Sequence, residues 1–435
     1  MPIEVLPSRQ GHVVVKGRGH QVLPDCSRPT LPGVVSERAC VFYGARWMLA
    51  AVPDVIHLVH GPVGCAYYGR TVRRKSYRLL STGLDERDIV FGAGDKLFDA
   101  IMEAAARYPE ARAVLVYATC AVGLTGEDIL RACKRAAGKI GRKVVPVNSP
   151  GFCGQSQAAG HDIAAAMLLE HFIGTGGKRE LIDNAVNILG EFDIQGDLNE
   201  IEDLLSQLGL KVNCAFSGRA STSAMADAHR VRLNIIHCRR TGQTLADAMR
   251  ERFGTPYLKV SFFGPAETTS AIKVIGKFFG VARVEEFISR ANQKAESEAA
   301  PFLQQLAGKR VALFFGASRI GSMAKVFGEL GMEVVMAGSQ YGCRGDYQEA
   351  EAKVANGAVL IDDAHDKELA ELMRKQRPHL LVGGTKEKYL AHKMGVPFLV
   401  FPQEMGPFAG FRGFVNLARQ TAGLVSGPVW RLAHG

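Results

Sequence analysis

Short β-branched runs recur along this chain, each leading into turn residues and then into a helical pattern, and that alternation constrains the fold more than any other feature. The clearest runs are residues 113–117, 143–147, 233–236, 311–315, 333–336 and 380–384. They are apolar at consecutive positions, which suits strands covered on both faces of a parallel sheet. Between them, segments such as 128–137 and 366–375 carry apolar residues at helical spacing. The pattern predicts an α/β, doubly wound architecture repeated about three times. With 435 residues, 47% of them hydrophobic, the chain is long enough for two or three such domains.

The expected organisation is an N-terminal arm at 1–39 followed by α/β domains at 40–200, 201–305 and 306–435. The break near 200 follows the Gly-Thr-Gly-Gly-Lys stretch at 174–178, and the one near 305 follows a charged helical segment at 290–299. In open parallel sheets, ligands bind beyond the carboxyl ends of the strands, so residues placed there are the first candidates for chemistry.

Composition narrows the function classes. No stretch of about 18 uncharged apolar residues is present, so no membrane span is expected. The first twenty residues lack the apolar core of a signal peptide, and a cytoplasmic location is expected. The net charge of +10 is scattered, with short clusters such as Arg73, Arg74, Lys75 and Arg78. Solvated faces explain most of it, and nucleic-acid binding is not expected without a continuous basic stripe. Nine cysteines, an odd number without a secretory signal, argue for reduced thiols rather than a disulfide framework.

Cys40 precedes a helical run, Cys65 lies in a loop after the apolar strand at 55–59, and Cys120 ends the strand at 113–117. Three thiols at strand ends and tight turns can converge on one sheet edge, as ligands of an iron–sulfur cluster do. Their wide spacing excludes a local zinc finger. From spacing alone, a buried structural thiol remains the better account of each. Cys238, in Asn-Ile-Ile-His-Cys-Arg-Arg-Thr-Gly, ends another strand at a ligand-binding edge. Cys133 and Cys214 read as core residues, while Cys26, Cys153 and Cys343 are ambiguous. The Gly316-Ala-Ser-Arg-Ile-Gly turn has the form of an anion site. It is not a dinucleotide fingerprint, and no phosphate-loop motif occurs.

Several segments together carry a specific resemblance. They are His60-Gly-Pro-Val-Gly-Cys, Glu86-Arg-Asp-Ile-Val-Phe-Gly, Cys120 with Gly126-Glu-Asp-Ile, Ser149-Pro-Gly-Phe, and Lys386-Glu-Lys with Lys393-Met-Gly-Val-Pro-Phe. Across nearly all of residues 26 to 430 the chain resembles the α-type (D/E-like) subunit of the nitrogenase component 1 superfamily. The resemblance implies three Rossmann-like domains, an α2β2 heterotetramer with a β-type (K-like) subunit, and electrons from a separate ATP-dependent iron protein. It implies that Cys40, Cys65 and Cys120 hold an eight-iron relay P-cluster of the 8Fe-7S type shared with the partner. It also implies that Cys238 anchors a large 8Fe-9S-C-type cluster.

Other positions discriminate among relatives. Ser156-Gln157-Ala-Ala-Gly-His161 resembles the pattern that places a glutamine and a histidine beside the substrate face of the catalytic cluster, where a histidine can relay a proton. Arg73, Arg319 and Lys386 match positions around that cluster, where cationic donors offset the burial of anionic charge. In contrast, 398–408 (Phe-Leu-Val-Phe-Pro-Gln-Glu-Met-Gly-Pro-Phe) lacks the histidine that caps the far metal in catalytic nitrogenases, its place falling near Pro402 or Gln403. The Phe411-Arg-Gly-Phe-Val-Asn-Leu-Ala-Arg end resembles the assembly scaffold. This combination looks most like the D subunit of the nitrogenase-like methylthio-alkane reductases, implying reductive C–S cleavage of a small thioether to a thiol and a hydrocarbon. The alternatives are the α subunit of the cofactor-assembly scaffold and an iron-only type nitrogenase.

Overall fold

The computed structural model describes residues 11–18, 22–25, 40–70, 78–177, 180–401 and 406–427. Its strands, in chain order, are β1 (Val13–Val15), β2 (Val55–His60), β3 (Leu79–Ser81), β4 (Ala113–Ala118), β5 (Lys143–Val147), β6 (Ala185–Leu189) and β7 (Lys211–Phe216). They continue with β8 (Leu233–Ile236), β9 (Tyr257–Lys259), β10 (Arg310–Phe314), β11 (Glu333–Ser339), β12 (Val359–Asp362), β13 (Leu380–Gly383) and β14 (Phe398–Val400).

These strands form three sheets, ordered β3-β2-β4-β5, β7-β6-β8-β9 and β1-β12-β11-β10-β13-β14. All pairings are parallel except the antiparallel addition of β1 to β12. Every residue of β2, β4, β6 and β8 is buried. The consecutive apolar runs are thus the signature of strands with no solvent face.

Packing divides the chain into two compact units. One takes its residues from Pro29–Phe192 and Leu210–Lys259 and contains the first and second sheets. The other takes its residues from Met1–Arg28, Asp193–Gly209 and Val260–Gly435 and contains the third sheet.

In the two-sheet unit, the helices Val41–Leu49 and Gln157–His171 cross in backbone contact. A methyl group built on Gly160 would lie 2.1 Å from the Val41 carbonyl oxygen, and one on Gly44 would lie 1.9 Å from that of Gln157. Only residues without a side chain permit that approach. The crossing fixes the start of one helix, capped by Cys40, against the start of the other, capped by Ser156.

Candidate metal-cluster sites

Cys40, Cys65 and Cys120 come together at the carboxyl edge of the first sheet. Cys40 caps the Val41–Leu49 helix, its Sγ accepting from the Tyr43 amide at 3.4 Å. Cys120 opens the Cys120–Thr125 helix just past β4, and its Sγ accepts from the Gly151 amide at 3.2 Å. Cys65 was expected in a loop, but it lies inside the Val63–Arg70 helix. Its amide donates to the Pro62 carbonyl at 3.0 Å, and the fixed φ of Pro62 starts a helix where glycines suggested a turn.

Gly151 ties two of these positions together. Its amide meets Cys120 while its carbonyl accepts from Val41, the residue after Cys40, at 3.1 Å.

The thiols are half-buried and feel one another. Burial first, then the Cys120 and Cys65 thiols, push Cys40 up to about 11, against the lowering effect of the Tyr43 amide. Burial and then Cys120 raise Cys65 as well.

Two backbone amides already aimed at sulfur suit thiolates that carry a cluster, whose charge such hydrogen bonds share. Among the described residues, no three or more His, Cys, Asp or Glu side chains are arranged around a single metal ion. Thiols that share a multi-iron cluster stand farther apart, because several irons separate them. Three thiols at one sheet edge, two of them already receiving backbone hydrogen bonds, are a donor set of the kind an iron–sulfur cluster takes. Beside it, Val63, Tyr67 and Leu124 are exposed apolar side chains.

The strand ends leading into the Cys65 and Cys120 helices are clamped from behind by a histidine that sequence reasoning left inside a motif. His60 ends β2, fully buried, with Nε2 2.9 Å from Glu127 Oε1 and Nδ1 3.1 Å from Thr82 Oγ1. The Thr119 hydroxyl donates to the His60 carbonyl at 2.9 Å.

The second site lies at the end of β8 in the same unit. Cys238 is buried and caps the Arg239–Phe253 helix. Its Sγ is 3.5 Å from Thr241 Oγ1, which in turn is 3.2 Å from His161 Nδ1. Thus the predicted His161 and Cys238, 77 positions apart in sequence, are joined through one hydroxyl.

Gln157, also buried, begins the helix that carries His161. His161 is buried, at 7% exposed. Burial first, then the Arg240 charge, hold it down to about 4. Its buried Nε2 has no hydrogen-bond partner among the described residues, which suits a site completed by a bound group.

Gly190, at φ +83°, lets the chain leave β6 past Cys238. A methyl group there would lie 2.6 Å from Cys238 Cβ. Next to Cys238, His237 Nε2 lies 3.5 Å from Glu191 Oε2, both side chains almost fully buried. Phe192 packs on His161 and on Trp47, at ring-centroid distances of 6.2 and 5.6 Å.

Thr241, Glu191, His237 and Phe192 were missed from sequence. The one available signal was the three-residue spacing of Cys238 and Thr241, which puts both on one side of a first helical turn.

Arg319 and Lys386 belong to the other unit. Arg319 ends a tight turn after β10. It is buried, with Cζ 5.3 Å from the Phe263 ring centroid. Lys386 follows β13, and its Nζ donates to Gln340 Oε1 at 3.3 Å beyond β11. Both lie past the carboxyl ends of their strands. Arg73, Cys26, Pro402 and Gln403 lie outside the described residues.

Of the remaining thiols, Cys133 and Cys214 are core residues as expected. Cys343 caps the Arg344–Glu351 helix, and Cys153 is exposed.

Compared with known proteins, residues 40–426 match the family described as nitrogenase component 1 type oxidoreductase. The chain belongs to that family. This component 1 chain is 38% identical over 444 aligned residues to the nitrogenase iron-molybdenum cofactor biosynthesis protein NifE of Methanococcus maripaludis, covering 99% of the chain and 92% of that relative. It is 36% identical over 462 residues to the nitrogenase molybdenum-iron protein alpha chain of Methanothermobacter marburgensis, covering 99% and 98%. The solved structure "Nitrogenase Cp1 at pH 5" superposes with a TM-score of 0.89 at 28% identity, covering 99% of this chain and 97% of that one. The component 1 chain is thus a nitrogenase-like, α-type member of an iron–sulfur oxidoreductase family, with the expected α/β fold. Among the described residues, no helix is long and apolar enough to cross a membrane.

Proposed function

We propose that this chain is the α-type subunit of a cofactor-assembly scaffold, holding an iron–sulfur cofactor precursor on Cys238. In this reading Cys40, Cys65 and Cys120 carry a relay cluster shared with a β-type partner in an α2β2 complex, and a separate iron protein supplies electrons with ATP. The observation that carries it is an anchor without a counterpart. Cys238 sits at a built site, yet 398–408 contains no histidine. A cofactor held by one thiolate exchanges more readily than one held at both ends, and a scaffold must release its product. The biosynthesis proteins among the relatives support this assignment over the methylthio-alkane reductase expected from sequence.

A second function is favoured by a specific observation. His161 stands at the Cys238 site through Thr241, with Gln157 one turn earlier on the same helix, and a non-catalytic scaffold has no evident use for an imidazole there. That arrangement supports a reductase acting on small thioethers, with His161 passing a proton to the leaving sulfur or carbon. The bound cluster would supply low-potential electrons.

One experiment separates the two. The purified heteromer, given its iron protein and ATP, is incubated with a cofactor-free acceptor subunit, or with ethyl methyl sulfide. Metal moving to the acceptor with no hydrocarbon released is the expected result. Hydrocarbon release with the metal retained overturns the scaffold and establishes the reductase. Reduction of dinitrogen instead would identify an iron-only type nitrogenase.

A further inference from the structure

One nitrogen at the second site is left over. His161 Nε2 is buried and has no hydrogen-bond partner among the described residues, and a buried polar atom in that state is costly unless a bound group meets it. The ring is held from two sides. Phe192 packs on it at a centroid distance of 6.2 Å, and its Nδ1 lies 3.2 Å from Thr241 Oγ1.

The Thr241 hydroxyl decides what Nε2 can offer. It has one hydrogen to give and two lone pairs to receive, and among the described residues it meets two groups, His161 Nδ1 and Cys238 Sγ. A cysteine bound to iron is a thiolate, which only accepts. With Cys238 ligated, the hydroxyl hydrogen therefore points to sulfur and a lone pair faces Nδ1, so the contact with His161 requires a hydrogen on Nδ1. Burial keeps the imidazole neutral, with a single N–H. Nε2 is then a bare lone pair. A histidine whose Nδ1–H is fixed by a hydrogen bond while Nε2 stays open is the form that ligates metals.

We propose that His161 Nε2 is a second protein ligand of the iron–sulfur group anchored on Cys238. The proposal rests on the Cys238 assignment above and sets a nitrogen beside the thiolate, joined to it through one hydroxyl, while 398–408 still offers no histidine. It gives the imidazole a part in a scaffold that needs no turnover. On loading, the Cys238 thiol gives its proton to solvent, and sulfur–iron and nitrogen–iron bonds form, each displacing an exchangeable ligand from iron. No electron changes hands.

The test is pulsed electron paramagnetic resonance of the loaded heteromer, made with isotopically labelled histidine nitrogens and poised where the second cluster is paramagnetic. The Cys238→Ala heteromer, emptied at that site, identifies the relay cluster's signals. The expected result is a histidine-nitrogen coupling of the size given by a directly bound imidazole in the second-site signal, lost in His161→Ala. Absence of that coupling from a cluster that Cys238→Ala removes overturns the proposal and leaves the Cys238 anchor standing. Coupling that persists in His161→Ala overturns it too. A cluster inventory unchanged in Cys238→Ala defeats the anchor itself.

Where His161→Ala holds no second cluster, Thr241→Val keeps the imidazole but strips the acceptor from Nδ1. A shifted coupling in that variant assigns the nitrogen to His161. An unchanged coupling places the nitrogen elsewhere and overturns the proposal.

Discussion

His161 is where the chemistry of the second site is most exposed to test. An imidazole held down to about 4 stays neutral across the physiological range. An unfolded chain takes up a proton on that side chain as pH falls through about 6.5, whereas the folded chain does not until about 4. The contribution to stability is therefore intact above 6.5 and is lost as pH drops from there towards 4. In the metal-free chain, denaturant unfolding at pH 7.5 and pH 5 should show roughly 2 kcal/mol of this dependence. His161→Gln should remove that share, and an unchanged pH dependence would mean that His161 is solvated in solution.

At the scale of elements, the glycine crossing joins the two sites. The Val41–Leu49 helix begins at Cys40 and the Gln157–His171 helix presents Gln157 and His161, so their contact sets where both groups stand. Gly160→Ala forces a methyl group into the Val41 carbonyl and should cost about 1–3 kcal/mol by overpacking. Thermal unfolding would read the loss. The same variant should reduce iron bound at both sites, whereas an unrelated core cavity would lower only the melting temperature.

Such contacts also mark the limit of what the sequence reveals. Strands such as β4 and β8 were legible because burial on both faces writes an unbroken apolar run. Cys120 was legible as a strand-end residue for the same reason, and Cys40 because a helical run follows it. The helical setting of Cys65, the carbonyls pressed against Gly44 and Gly160, and the Thr241 bridge were not. The last two depend on residues distant in sequence meeting at a few ångströms, which no local periodicity encodes, whereas the first turns on Pro62 close by, whose helix-starting role the neighbouring glycines hid. The pairing of His161 with Cys238 was legible only through family resemblance, because 77 positions separate them.

For the whole molecule, the proposed division of labour predicts separable iron inventories. Cys238→Ala should leave the relay cluster's iron and the α2β2 assembly largely intact while emptying the second site. Cys65→Ala should deplete relay iron and weaken association with the β-type partner, since the exposed Val63, Tyr67 and Leu124 flank that thiol group. Iron analysis with size-exclusion chromatography of the two variants would check this, and equal losses from both would contradict it.

The hydrogens on the relay sulfurs carry a last consequence. With Cys40 up near 11 and Cys65 raised too, a newly made polypeptide keeps these groups in their unreactive, uncharged form at cellular acidity. Oxygen and stray copper attack the deprotonated form, so the nascent subunit is chemically quiet while it waits. Only a donor able to evict several protons at once commits it to its inorganic passenger.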